Sequence, residues 1–400
     1  MSDRTSHPAP STGRVLTIVG LVTFATSLFI RVVDPIIPEI AHDFTMDATT
    51  VALLSTAFAL PYAIVQPALG AFADVFGKTR LMMLCLMVVV ITSFVGAFAP
   101  NFSTLLASRV VAGAVAGGVF PVSLAIAADL VPVRDRQVAI GRLLAAAMMG
   151  NLLGSPSAGI LADLIGWRSV FVGVGCLGLA ALIVASIGFH GIGMGMGAPA
   201  KADLASIPEN YRTIYRNPLA KICYGAVLLE GIFIFGLFPF VATLLQADGE
   251  PRASIAGLVL AGFAAGGIVY ALFVPRLLAH FGERRLMITG AIMMGFALIA
   301  VALHPSWQIE IIDFAVLGLG FYLLHGVIQI YATELAPAAR GSAMALHSTF
   351  FFLGQALGPL VYRYGLAHAG LTASVAVSGM VAIGVGLVCS RRLRRRASST

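Results

Sequence analysis

The stretch Phe76-Gly-Lys-Thr-Arg-Leu-Met82 returns as Phe281-Gly-Glu-Arg-Arg-Leu-Met287, displaced by 205 residues. A second pair, Ala128-Asp-Leu-Val-Pro132 and Thr333-Glu-Leu-Ala-Pro337, shows the same displacement. Two independent matches at one offset make chance a poor explanation. Each matched stretch is polar and lies between apolar runs, where one hydrophobic helix ends and another begins. The chain therefore reads as two related halves.

Composition says what solvent those halves live in. The 400 residues are 59% hydrophobic and 11% charged, against roughly 45–50% and about 25% for soluble proteins. Mean hydropathy is +0.95. Spanning a bilayer takes about 20 residues of helix, and twelve such runs lie near 15–37, 50–73, 81–99, 103–128, 138–162, 169–190, 220–246, 254–279, 286–303, 308–332, 341–366 and 370–390. The expected fold is an all-α membrane protein of twelve transmembrane helices in two pseudo-symmetric six-helix bundles, 15–190 and 220–390. Residues 191–219 form a central loop between them, where Gly-Met repeats give way to Lys201, Glu209, Arg212 and Arg216. The first run is too long for a signal-peptide core and no small-residue cleavage site follows, so it is read as a retained helix after a short polar tail, 1–14.

Placing both termini in the cytoplasm puts 20 of the 25 Lys and Arg residues in cytoplasmic segments and three (Arg168, Arg252, Arg363) on the other side. That bias follows the positive-inside rule. It also accounts for the net charge of +7 without nucleic acid, the tail 391–400 with Arg391 to Arg396 anchoring the last helix on anionic lipid. The four cysteines (Cys85, Cys176, Cys223, Cys389) stand singly in apolar segments with no metal-ligand spacing, so neither disulfides nor a metal is expected.

Between spans two and three, Gly70-Ala-Phe-Ala-Asp74-Val-Phe-Gly77-Lys78-Thr-Arg80 resembles the loop signature of the major facilitator superfamily, with Val75 where a basic residue is usual. The second copy keeps Gly282, Arg284 and Arg285, with Ala279 at the acidic position and Pro275 at the first glycine. Gly77 and Gly282 permit a tight turn. Asp74, at a helix C-terminal end, opposes the dipole sign there. It reads either as a latch seeking a cationic or helix-N-terminal partner or as part of a solvated turn. In span four, Arg109 and Gly113 are similar to the superfamily's R-x-x-x-G pattern. In span five, Gly150, Gly154, Pro156 and Gly159 resemble its antiporter signature, with Pro156 one place late. Gly354, Gly358 and Pro359 of span eleven follow the pattern more closely. Ordinary small-residue helix packing is the alternative reading of those glycines.

That resemblance covers essentially the whole chain. It implies a secondary transporter working by alternating access, with a small-molecule cargo bound between the halves. The antiporter signature implies proton-coupled export of a drug or metabolite. An uptake symporter or facilitator of the same fold is the alternative. A membrane-embedded enzyme or sensor is disfavoured, because no metal cluster, nucleophile–base motif or phosphate loop stands out. The implied setting is a bacterial inner membrane, with the chain a monomer, no cofactor and the proton as coupling ion.

Charges inside the spans are functional candidates by default, because each costs several kcal/mol unless paired. Asp34 lies about 19 residues up the first helix, roughly 28 Å, and Arg109 about 6 residues, roughly 9 Å, down the fourth. Both therefore fall in the half of the membrane away from the termini. Arg31, Asp34 and Arg109 read as a shared cluster, or as an Arg31–Asp34 pair on one helix face. Glu230, about ten residues into span seven, suits reversible protonation or a structural bond to a neighbouring helix. His325 and His347 are each read first as packed polar residues. With Gln329 of span ten, and with Tyr62 and Gln66 beside Pro61 and Pro67 of span two, they complete the cavity candidates. Glu310 and Asp313 are expected at the membrane surface.

Overall fold

The computed structural model describes residues 12–189 and 206–393, apart from the side chains of 68–72, 74–76, 133, 134, 137, 206–208, 210 and 338. The tail 1–11, most of the central loop and residues 394–400 lie outside the described residues, as do the side chains of Gly70 and Asp74. Among the described residues every regular element is helical, and nine helices are long and apolar enough to cross a membrane. Two of those nine are pairs of spans. Ala253–Val301 turns at Gly282 (φ 71°, ψ 162°) and Arg340–Arg392 at Gly370 (φ 77°, ψ 176°). With the shorter Thr12–Leu28 they make twelve spans.

Spans two to six are 48–76, Lys78–Ala97, Phe102–Leu130, Val133–Ile165 and Trp167–Gly188. Spans seven to twelve are 220–247, 253–281, 283–301, Trp307–Glu334, 340–369 and 371–392. The central segment holds a helix, Ser206–Arg216. Its Ile214 is buried, and Asn217 donates to the Leu335 carbonyl at 3.0 Å.

The first span differs from its expected form. It is not one helix over 15–37 but Thr12–Leu28, an irregular stretch, then the short helical pieces Asp34–Ile36 and Ile37–Asp43. Pro35 and Pro38 lack the N–H that a continuous helix would use. Span seven breaks at the matching place, Ala220–Phe233 giving way to a tight turn over Phe235–Phe240 that contains Pro239.

The 205-residue offset seen in sequence is thus an offset in shape. It recurs in packing. A Cβ on Gly113 would lie 2.1 Å from the Phe58 carbonyl, and one on Gly318 would lie 1.9 Å from the Phe263 carbonyl. Glycine there lets spans four and ten press onto spans two and eight backbone to backbone. Gly318→Ala is expected to cost about 1–3 kcal/mol or more by overpacking, read as a lowered thermal midpoint of the purified protein. An unchanged midpoint would show that the helices can slide apart freely.

Between the halves, span two packs on span eleven and span five on span eight. We call the face carrying Thr12 and Arg392 the terminal side and the opposite face the far side. The halves touch in the middle and on the far side. Thr56 Oγ1 donates to the Ala356 carbonyl (2.8 Å), Tyr62 stacks on Phe352 (ring centroids 4.0 Å), and Gly159 abuts Ala253. On the terminal side the central helix bridges the halves, Tyr211 Oη donating to the Pro67 carbonyl of span two at 3.4 Å and Asn217 to Leu335 of the second half. The described contacts between the halves thus close the molecule on its far side.

Candidate functional site

The irregular stretch after Thr12–Leu28 places Arg31 at the centre of the closure. Its guanidinium sits over the rings of Phe235 and Phe238 (4.8 and 4.9 Å to the centroids), in the break of span seven. It donates to Gln355 Oε1 of span eleven at 2.7 Å and to Asp34 Oδ2 at 3.3 Å. Ser55 Oγ donates to the other Asp34 oxygen at 2.7 Å, and Ser155 Oγ to the Arg31 carbonyl at 3.0 Å. Asp34 is 1% exposed. One cation therefore ties spans one, two, five, seven and eleven together. Removing one member of such a buried pair costs about 3–5 kcal/mol, because the other charge is left uncompensated.

Arg109 takes a different partner from the one its depth suggested. Its two terminal nitrogens donate to the Phe29 carbonyl (3.3 and 3.2 Å) and it lies over the Phe58 ring at 4.3 Å, with Nε unpartnered. The direct ion pair is Arg31 with Asp34, and Arg109 makes none with Asp34 within the 4.0 Å ion-pair distance. Arg109 does lie in the same half of the membrane as Asp34, near enough for the two charges to act on each other, but span one unwinds at Phe29. That unwinding frees the carbonyl that Arg109 binds. Gln66 is also turned away from a cavity. It is buried and its Nε2 donates to the Gly117 carbonyl at 3.0 Å, stapling span two to span four. Tyr62 lines a small cavity with Thr23, Thr26, Ser27 and Phe120, while Gln329 is exposed on span ten.

Three groups read singly in the sequence come together in the second half. Glu230 Oε2 lies 2.7 Å from His325 Nδ1, bridging spans seven and ten. His325 lies edge-on to His347 of span eleven at 5.0 Å and stacks on Phe321 at 4.6 Å. Glu230 and His347 are 3% and 2% exposed. Glu230 Oε1 and His347 Nε2 have no hydrogen-bond partner. Beside Glu230 is a cavity of about 10 Å³, the room of one water, whose other walls include Phe233, Met294, Leu324 and Val385. A buried carboxylate with one committed and one idle oxygen can accept a proton without rearranging its neighbours.

The loop motifs keep the halves' turns and differ in charge. Gly77 (φ 85°) and Gly282 (φ 71°) make the same turn. Lys78 bonds Asp129 at 2.6 Å, linking the two repeated stretches of the first half, and Arg80 is exposed. At the corresponding places of the second half stand Glu283 and Glu334, and Glu283 instead accepts from Tyr331 Oη at 2.8 Å. Arg284 and Arg285 are both exposed.

The motif glycines of spans five and eleven pack inside their own halves. A Cβ on Gly150 or Gly154 would meet the carbonyls of Phe24 (2.4 Å) or Leu28 (2.8 Å), and one on Gly354 the Leu228 carbonyl (2.3 Å). Gly358 approaches Gly236 across the broken part of span seven, and Pro359 is buried beside it. Gly159 alone among them faces the other half, with Pro156 lying against Gly257.

Glu310 and Asp313 lie at the far-side end of the second half, near the loop residues Asp248 and His304 that join at 2.9 Å, but they are buried there, 3% and 9% exposed. Gln355 and Ser55 escaped the sequence reading altogether. Gln355 stood inside a motif read for its glycines.

Twelve spans, two offset-related halves, and buried charges where the halves meet describe a membrane transporter working between two faces. A family model of the Major Facilitator Superfamily matches residues 19–251 and 223–400, and the chain belongs to that superfamily, whose members are transporters rather than enzymes. It is 27% identical over 344 residues to the quinolone resistance protein NorA of Staphylococcus aureus (strain COL), covering 84% of this chain and 86% of that one. It is 23% identical over 264 residues to the MFS-type transporter YfhI of Bacillus subtilis (strain 168), covering 66% and 62%. Its fold is similar to that of a bacterial homologue of the human lysosomal transporter Spinster in an inward-facing, unoccupied conformation (TM-score 0.74, 18% identity, 98% and 100% covered). It is likewise similar to a D-xylose-proton symporter (TM-score 0.75, 15% identity, 95% and 97% covered).

Proposed function

We propose that this transporter is a proton-coupled exporter of a drug-like or metabolite cargo, acting as a monomer in a bacterial cytoplasmic membrane with both termini inside. The basic-residue bias supports the orientation, and the relationship to a protein named for quinolone resistance supports export. The observation that carries the coupling is Glu230, one oxygen bonded to His325 and the other idle in an apolar wall. On this reading cargo enters from the cytoplasm on the terminal side, and release requires the far side to part.

Opening separates Arg31 from Gln355, Phe235 and Phe238, which belong to the second half. Asp34 belongs to the same helix as Arg31 and stays with it. The buried cation is thereby neutralised in both states, and the exchange costs little more than a hydrogen bond and two ring contacts. Protonation of Glu230 alternates with cargo at the centre, so each outward trip of cargo returns a proton.

Purified protein in liposomes with an imposed pH gradient tests this. Cargo flux is expected to run against the proton gradient, so that protons entering one way drive cargo the other. Flux running with the protons would make it a symporter, and flux indifferent to the gradient would make it a facilitator. Either result overturns the proposal.

A further inference from the structure

The far-side closure contains a charge that the mechanism above does not use. Span eight begins at Ala253 after Arg252, in extended conformation and with no side-chain cap from its own neighbourhood. The first N–H groups of a helix lack partners within it. Here they are met from the other half of the molecule. Asp163, near the end of span five, accepts from Ala253 N at 2.9 Å with Oδ1 and from Ser254 N at 2.9 Å with Oδ2. A carboxylate at that position also matches the positive end of the helix dipole.

The nearby cation is occupied elsewhere. Arg252 grips Glu250 through Nε (2.7 Å) and a terminal nitrogen (2.6 Å), a bond that holds the Glu250 carboxyl below the usual carboxylate range. Glu39, from the short helix after the break of span one, is the other charged group acting on this corner. Arg252 acts on Asp163 only at a distance, and the helix end supplies the hydrogen bonds that hold Asp163. Beneath it the two backbones touch, a Cβ on Gly159 falling 2.2 Å from the Ala253 carbonyl and one on Gly257 falling 2.6 Å from the Ser155 carbonyl.

The pattern is written twice. Asp163-Leu-Ile-Gly166 ends span five as Asp74-Val-Phe-Gly77 ends span two, and both glycines have positive φ, 97° and 85°. The second half has Ala279-His-Phe-Gly282 and Ala367-His-Ala-Gly370 at the ends of spans eight and eleven, with no carboxylate. Within a six-helix half, spans two and five are counterparts of opposite direction. Asp163 thus occupies on the far side the place that Asp74 occupies on the terminal side.

We infer that Asp163 is a positioning residue of the transport cycle, a far-side latch that holds the closed state by capping the N-terminus of span eight across the two halves and lets go when the far side opens. Nitroxide labels on Leu164→Cys and Leu303→Cys, with Cys176→Ser, report the separation of the halves in the full-length protein by pulsed dipolar spectroscopy. Leu164 and Leu303 are 75% and 76% exposed, one in each half. Asp163→Asn keeps one acceptor but loses the charge at the helix end and turns an N–H donor towards Ala253 or Ser254, so it is expected to raise the ratio of far-side-open to closed molecules about threefold. Asp163→Glu, which keeps a carboxylate within reach, is expected to stay near the parent ratio. Ala253→Pro removes one donor while leaving Asp163 intact, at a position where proline is tolerated, and should shift the ratio in the same direction. It alone decides if Asp163→Asn does not fold. Distance distributions unchanged in Asp163→Asn, or shifted equally in Asp163→Glu, would overturn the inference.

Discussion

Glu230→Gln is expected to abolish transport driven by a pH gradient, lowering it at least tenfold, while leaving cargo-for-cargo exchange across the same liposomes intact. The amide has nearly the shape of the carboxyl and still offers an oxygen to His325. What it lacks is the ability to change charge. If the proton and the cargo take turns at the centre, a glutamine fixes the site in its neutral form. The halves can then still rock with cargo aboard, since no buried charge opposes them, but no proton is carried back. A merely structural bond between Glu230 and His325 predicts something else, namely a fall in thermal stability with coupling preserved. Exchange should also lose its dependence on pH in the variant. Full gradient-driven transport by Glu230→Gln would remove Glu230 from the coupling mechanism and move attention to Asp34.

Much of the fold was legible because the lipid solvent makes its signals long. A span must be about 20 apolar residues, and a repeat at 205 residues survives where charge and glycine are needed at helix ends. What escaped was local. The unwinding at Phe29 depends on how Pro35, Pro38 and the facing Phe235–Phe240 turn fit together, and neither hydropathy nor period reports that. It hid the Phe29 carbonyl that Arg109 uses.

The meeting of Glu230 with His325 and His347 joins three spans separated by up to 117 positions, and a single sequence carries no signal for such a contact. Asp163 was different. Its D-x-x-G spacing duplicates that of Asp74, and comparing the two helix ends within one half would have exposed it.

The second large effect belongs to Gly159. Its neighbours Gly150 and Gly154 pack span five onto span one inside one half, so larger residues there strain a contact made in every state of the cycle. Gly159 touches Ala253 of the other half, a contact that the proposed opening of the far side would break. Gly159→Leu therefore leaves each six-helix bundle sound and makes one of the two end states unreachable, since the side chain has no exit between backbones already in contact. The expected result is a protein that folds with a near-parental thermal midpoint, shows the Leu164 and Leu303 labels apart throughout the population, and transports at least a hundredfold more slowly. Gly150→Ala should do the converse, lowering the midpoint by the overpacking cost of about 1–3 kcal/mol while leaving the label distances distributed as in the parent. Were Gly159→Leu to keep the short distance, spans five and eight would have to close by some geometry other than backbone contact, and the rocking of two rigid halves about this seam would be the wrong description of how the far side shuts.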